Sequence, residues 1–199
     1  MKTNKTLKTV SKLFFLFSII FTSCGAVGTK TIYRTETSIE KPLRIGFSQL
    51  ADVETMEKIV KGCSEIYDRT MIDLLNNQNI SSDKITISEF NSFEDISIEN
   101  VKNICIENKI DGLILTKLKF INVSYSSMFI PLGVSEDTEV EMLYYQADGR
   151  LLFHTLHNTH KGNSYWNFVP AERTVTDGTT GAFNRIVKEF KKTKHYENK

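Results

Sequence analysis

Apolar and polar residues alternate in "LRIGFSQL", after Pro42, where Leu43, Ile45 and Phe47 fall on one side of a period-two pattern. That is the signature of a half-buried strand. From about Val53 to Asn77 the period changes. Met56, Ile59, Val60, Cys63, Ile66, Tyr67, Met71, Leu74 and Leu75 recur at three- and four-residue steps, as on one face of a helix, with Asp52 as its N-cap and "NNQN" as its end. Gly62 in its middle costs up to about 1 kcal/mol relative to Ala, so this helix relies on packing. "KITIS", 84–88, reads as a short strand. Ser97 caps a second helix with Val101, Ile104 and Cys105 on its face, and "LILTKLKFINV", 113–123, begins as a buried strand and ends as an alternating one. In "EVEMLYYQADGRLLFHTLH" the pair Asp148-Gly149 joins two alternating runs, a strong hairpin signal. A last helix in "TDGTTGAFNRIVKEFKK" carries Ala182, Phe183, Ile186, Val187 and Phe190 on one face and takes Asp177 or Thr176 as its cap. The order β-α-β-α-β-β-β-α predicts an α/β (α+β) fold, a mixed sheet of about five strands with helices packed on both faces.

The amino-terminal pattern is of another kind. "MKTNKTLKTVSK" holds four lysines and no acid, and Leu13–Phe21 is apolar except for Ser18. Nine residues are too few to span a bilayer, which takes about 20, but suit the core of a signal peptide. "FTSC" follows: an apolar residue, two small ones and Cys24. It resembles the lipobox of bacterial lipoproteins, with Phe21 bulkier than the Leu usual there. The resemblance implies a signal peptide over 1–23, removed by cleavage, and Cys24 as the lipidated first residue of the mature chain. Two or three acyl chains make a stable anchor where one does not. Gly25 rather than Asp at the next position favours the outer membrane, facing the periplasm, by resemblance to the enterobacterial sorting rule. Residues 24–41 are polar and rich in Thr and Ser, and read as a flexible tether of about 20–25 Å r.m.s. span. The α/β domain then occupies 42–192, and 193–199 is a basic, solvated tail.

Processing changes the charge. The 199 residues carry 25 basic and 24 acidic side chains, a formal +1. Without 1–23, which holds four lysines and no acid, 21 basic and 24 acidic remain, a formal −3. No clustered basic surface of the kind that binds phosphate backbones is legible, which argues against nucleic acid as a partner. Cys63 and Cys105 remain, in a compartment that permits disulfides. Each sits on the apolar face of its helix. If the first strand lies between the next two, right-handed crossovers place the helices on opposite faces and the thiols cannot meet.

"ENKIDGLILTKLKF" and "VEMLYYQADGRLLFHTL" resemble the helix-to-buried-strand unit and the "L-x-D-x-x-T-G-x-L" hairpin of periplasmic lipoproteins of the curli-secretion, penicillin-binding-protein-activator and Tol-accessory group. The resemblance covers roughly 43–190 and includes no invariant catalytic motif. It implies a three-layer α/β domain that works by docking onto other envelope proteins. Two departures stand out. The activators carry a long Pro-rich linker where this tether is short, and no pair of lipid-facing strands like those of the curli-type channels is obvious.

Other candidate chemistry is thin. "HTLHNTH" spaces His154, His157 and His160 three apart, and imidazoles suit zinc or copper. On a strand, however, His157 points away from the other two, and His154 and His160 are separated by about 20 Å. Gly178 and Gly181 in "DGTTGAFN" suggest a helix start, but the lysine of a P-loop is missing and ordinary capping is the simpler reading. Glu54 and Glu57 read as a solvated face. No catalytic residue, metal ligand or cofactor is expected. Two apolar segments are placed between elements: "SSMFIPLGVSED", with Met128, Phe129, Ile130 and Leu132, and "GNSYWNFVPAER", with Tyr165, Trp166 and Phe168. They either fold over the core or contact a partner, and Trp and Tyr are common interface anchors. The expectation is a membrane-anchored, non-enzymatic lipoprotein docking onto an envelope complex. The alternatives are a periplasmic lipoprotein that binds a small molecule or glycan, and a metal-dependent envelope enzyme.

Overall fold

The computed structural model describes residues 28–35, 41–50, 53–87, 90, 92–127, 130–159 and 170–196. Six strands form one mixed sheet in the order β1-β6-β5-β4-β2-β3: β1 Thr29–Arg34, β2 Arg44–Gln49, β3 Ser81–Lys84, β4 Gly112–Ser127, β5 Ile130–Gln146 and β6 Leu151–Asn158. Four helices accompany them: α1 Val53–Ile59, α2 Cys63–Asn76, α3 Ile98–Asn108 and α4 Ala171–Tyr196. β2 runs parallel to both β3 and β4, whereas the β4–β5, β5–β6 and β6–β1 pairs are antiparallel. The fold is the mixed α/β class expected.

Two apolar layers flank the sheet. Ile45, Phe47, Ile114, Leu118, Met142 and Phe153 pack with residues of α1, α2 and α4. The alternate positions Leu113, Leu115, Leu143 and Tyr145 pack with Val101 and Cys105 of α3 and with Ile85, Phe90 and Phe93. Period-two alternation along β4 is what divides them. Since β2 lies between β3 and β4, Cys63 and Cys105 fall in different layers, and both are free and buried. The condition placed on the strand order is met.

Several boundaries differ from the sequence expectation. The helix over 53–77 is two helices, because Gly62 adopts the left-handed conformation (φ 79°) at the N-cap of α2. Glu57 reaches forward to accept from Gly62 N and Ser64 N at 2.6 and 2.9 Å, which caps the second helix. Asp52, its expected cap, lies outside the described residues. The strand expected at 84–88 is instead Ser81–Lys84, sharing only Lys84 with it, since Ile80 is buried against α2 and the chain turns through Asn79 (φ 55°) directly into pairing with β2. Residues 29–34, expected within a flexible tether, form edge strand β1 on β6. The last helix starts at Ala171, where the carbonyl of Pro170 accepts from Arg173 N and Thr174 N, so Thr176 and Asp177 lie inside it and cap nothing. It also continues to Tyr196, into the segment expected as a frayed tail.

The remaining turns follow expectation. Ser97 Oγ accepts from Asn100 N as the cap of α3. Gly149, at φ 86°, makes the β5–β6 turn, and a Cβ there would meet the carbonyl oxygen of Ile98 at 2.4 Å.

Candidate docking site at one end of the sheet

The register places one end of β1, β6, β5 and β4 side by side. Thr29 pairs with His157, Val140 pairs with both His157 and Leu118, and Glu139 pairs with both Asn158 and Lys119. Beyond this level β4 and β5 continue together. Lys119↔Glu139 is followed by Phe120↔Thr138, Asn122↔Glu136, Val123↔Ser135 and Ser124↔Val134, out to Ser127↔Ile130. Among the described residues, pairing of these strands to their other neighbours stops at Thr116 on β4 and Glu139 on β5. The result is a two-stranded arm standing out from the sheet. From Phe120 to Ser127 it extends about 26 Å, at about 3.3 Å per residue.

A knot of threonines roots the arm. Thr159, just past β6, donates to Asp137 Oδ1 at 3.1 Å and accepts from Thr138 N at 2.9 Å. The hydroxyl of Thr138 is 2.6 Å from that of Thr174 on α4. All of these side chains are buried. Four groups hydrogen-bonded to one another fix where the hairpin leaves the body.

β1 is fastened at the same end and along α4. Thr29 Oγ1 is 2.5 Å from His157 Nδ1, Arg185 Nε donates to Thr31 Oγ1 at 2.5 Å, and Arg34 pairs with buried Glu189 at 3.0 Å. Burial holds the His157 imidazole below its ordinary pKa, so near neutral pH it is an uncharged partner for Thr29. Its ring lies against Gly181, where a Cβ would approach it to 2.4 Å, and Gly178 lies similarly close under Val140. Both glycines are therefore mid-helix packing positions, neither caps nor anion sites.

The histidine geometry follows strand alternation. His154, on the α3 side of the sheet, meets Glu141 at 2.5 Å and the edge of Phe93, while His157 faces α4. His160 lies outside the described residues. Among the described residues no cluster of three or more metal-ligating side chains forms. Glu57 is a helix cap rather than a solvated carboxylate, and Glu54 lies in α1. A groove of about 270 Å³ lies between α3 and the chain that follows β3, lined by Ile87, Phe90, Asn100, Asn103 and Glu107. The side chain of Asn100 is already engaged by Ser97.

Of the expected site residues, Ile130 and Leu132 are placed: they open β5 and form the outer part of the arm, not a loop between strands. Cys24, Met128, Phe129, Tyr165, Trp166 and Phe168 lie outside the described residues. The alternation expected to end at Val123 in fact runs on, with Ile121, Val123 and Tyr125 between Asn122, Ser124 and Ser126, and β4 follows it to Ser127. A second signal is charge: "FINVSYSSMFIPLGVS", 120–135, has no charged residue, between Lys117 and Lys119 on one side and Glu136, Asp137 and Glu139 on the other.

No protein-family model matches the chain, and no curated protein matches it in sequence. Among solved structures the fold is similar to that of the PelC dodecamer from Paraburkholderia phytofirmans, with a TM-score of 0.50, 6% identity, and coverage of 77% of this chain and 92% of that one. The lipoprotein GNA1162 from Neisseria meningitidis matches at a TM-score of 0.38 and 12% identity, over 74% of this chain and 99% of that one. At such identities the PelC likeness is one of fold, and the chain has the mixed α/β architecture seen in that bacterial protein.

Proposed function

We propose that this chain is a lipid-anchored accessory protein of the bacterial cell envelope, held at Cys24 in the outer membrane and facing the periplasm. Its α/β domain is non-enzymatic and docks onto an envelope protein complex as an accessory or assembly factor. The observation that carries this reading is the arm: a projecting hairpin with an uncharged outer part, leaving the sheet at the end where β1 begins, separated from Cys24 by four residues of sequence. The fold likeness to PelC, itself a dodecamer, supports a protein that works within an assembly. The segment carrying Tyr165, Trp166 and Phe168 joins Thr159 at that end to Pro170, where α4 begins, so the contact to a protein partner is assigned to those three aromatics.

Two measurements test the reading. Metabolic labelling with palmitate is expected in the wild-type chain and lost in Cys24→Ala; label that persists overturns the anchor. In vivo cross-linking of the full chain is expected to capture a defined envelope protein or further copies of itself. Trp166→Ser is expected to abolish that capture while the circular dichroism of the domain is unchanged. Capture that survives the substitution removes the docking role from this segment.

A further inference from the structure

The arm and the tether leave the sheet at one end, and their lengths can be compared. Thr29 is the first residue of β1, and Asn158 N donates to the carbonyl of Gly28 at 2.9 Å, so the chain is tied to the sheet from Gly28 onward. Only four residues, Gly25 to Gly28, connect that point to Cys24. Fully extended, they reach about 14 Å. The arm extends about 26 Å from the same end. With Cys24 in the bilayer surface, even a taut tether leaves an upright arm about 12 Å beyond the anchor point, and a tilted arm lies along the surface.

We propose that the outer arm, residues 123–127 and 130–134, lies in the interfacial layer of the membrane that holds the chain. The occupant of this surface is lipid. The inference rests on the lipidation of Cys24 in the function proposed above, and it takes Ile130 and Leu132 from protein contact to lipid contact. Three further features agree with it. A charged side chain facing lipid is penalised the more the deeper it lies, and residues 120–135 carry none. The charged residues cluster at the root, with Lys117, Lys119, Glu139 and Glu141, on the aqueous side. Tyr125 stands near the outer end, and tyrosine is a residue type concentrated at membrane interfaces.

The arm's open edges set a limit on depth. A two-stranded hairpin leaves backbone N–H and C=O groups unpaired along both outer sides, and such edges do not occur exposed to hydrocarbon. In the interface, water and headgroups satisfy them. The arm accordingly lies in the surface layer and does not cross it.

The test uses the full lipidated chain in vesicles of phosphatidylethanolamine and phosphatidylglycerol. An environment-sensitive thiol dye is placed at S127C near the end of the arm, at S135C halfway along it, or at R150C in the β5–β6 turn at the opposite end of the sheet. Buried Cys63 and Cys105 and acylated Cys24 do not compete for the dye in the folded chain. The expected result is loss of fluorescence with bromine-bearing acyl chains at S127C, a smaller loss at S135C, none at R150C, and the reverse order with aqueous iodide. Iodide quenching at S127C with Cys24 acylated overturns the inference and leaves the anchor standing. Protection of S127C from both quenchers means protein covers the arm, and also overturns it. Absence of acyl chains on Cys24 overturns the anchor itself, and the inference with it.

Discussion

Glu57 shows how one side chain decides a local fold. Its carboxylate accepts from two backbone N–H groups at the start of α2, where Gly62 has turned the chain left-handed. Those bonds, first from Ser64 and then from Gly62, hold its pKa below the usual carboxylate value of 4.5. The depressed pKa belongs to the folded state, so the stabilisation is complete above pH 4.5 and is lost as pH falls through the folded-state value. Glu57→Ala, read by urea denaturation at pH 7, is expected to cost about 1 kcal/mol, the usual worth of a lost helix cap. The difference from wild type should shrink as the pH is lowered below 4.5. A difference independent of pH would mean that packing, not the carboxylate, joins α1 to α2. A sequence alone gives little notice of this arrangement, because Glu57 reaches forward across a break that periodicity does not reveal.

At the level of elements, legibility followed burial. The helix with Val101 and Cys105, the last helix with Phe183 and Phe190, and the hairpin at Gly149 all bury one face against the sheet, and each was readable from its period or its turn chemistry. β1 was not, because "TKTIYR" is an edge strand with Ile32 and Tyr33 exposed, and its place comes from pairing with β6 and ties to α4. β3, "SSDK", is equally polar and is held by register to β2 and by the Arg44–Asp83 pair. The cysteines illustrate the readable side. Strand order separates Cys63 from Cys105 by the thickness of the sheet, and burial pushes both thiols up to about 11. A thiol reagent at pH 8 is therefore expected to leave both unmodified in the native domain and to modify two per chain after unfolding in urea without reductant. Zero thiols on unfolding would reveal a disulfide and contradict the topology.

On the scale of the whole molecule, the structure has two distinct ends. Thr174 meets Thr138 at the root of the arm, Ala182 accepts from Thr155 in mid-sheet, and Phe190 packs on Tyr144 and Phe153. α4 thus runs away from the arm, and its 26 residues carry the basic C-terminal turn about 39 Å from its start. Under the proposed anchorage at Cys24, the basic end of α4 is carried away from the bilayer and the arm toward it. In that proposal the short tether sets the orientation, and its length can be changed without touching the fold. Inserting about sixteen Gly and Ser residues between Ala26 and Val27 makes a coil of 20 residues between Cys24 and β1, with an r.m.s. span of about 22–27 Å, comparable with the arm. The lengthened chain is expected to stay in the membrane fraction, since the acyl chains are unaffected, while the dye at S127C becomes open to iodide and capture of the protein partner falls. If dye protection and capture are both unchanged, the arm holds its surface by its own affinity and the tether length is irrelevant to docking. If capture alone survives, the partner reaches the domain from the periplasmic side, independently of where the arm lies.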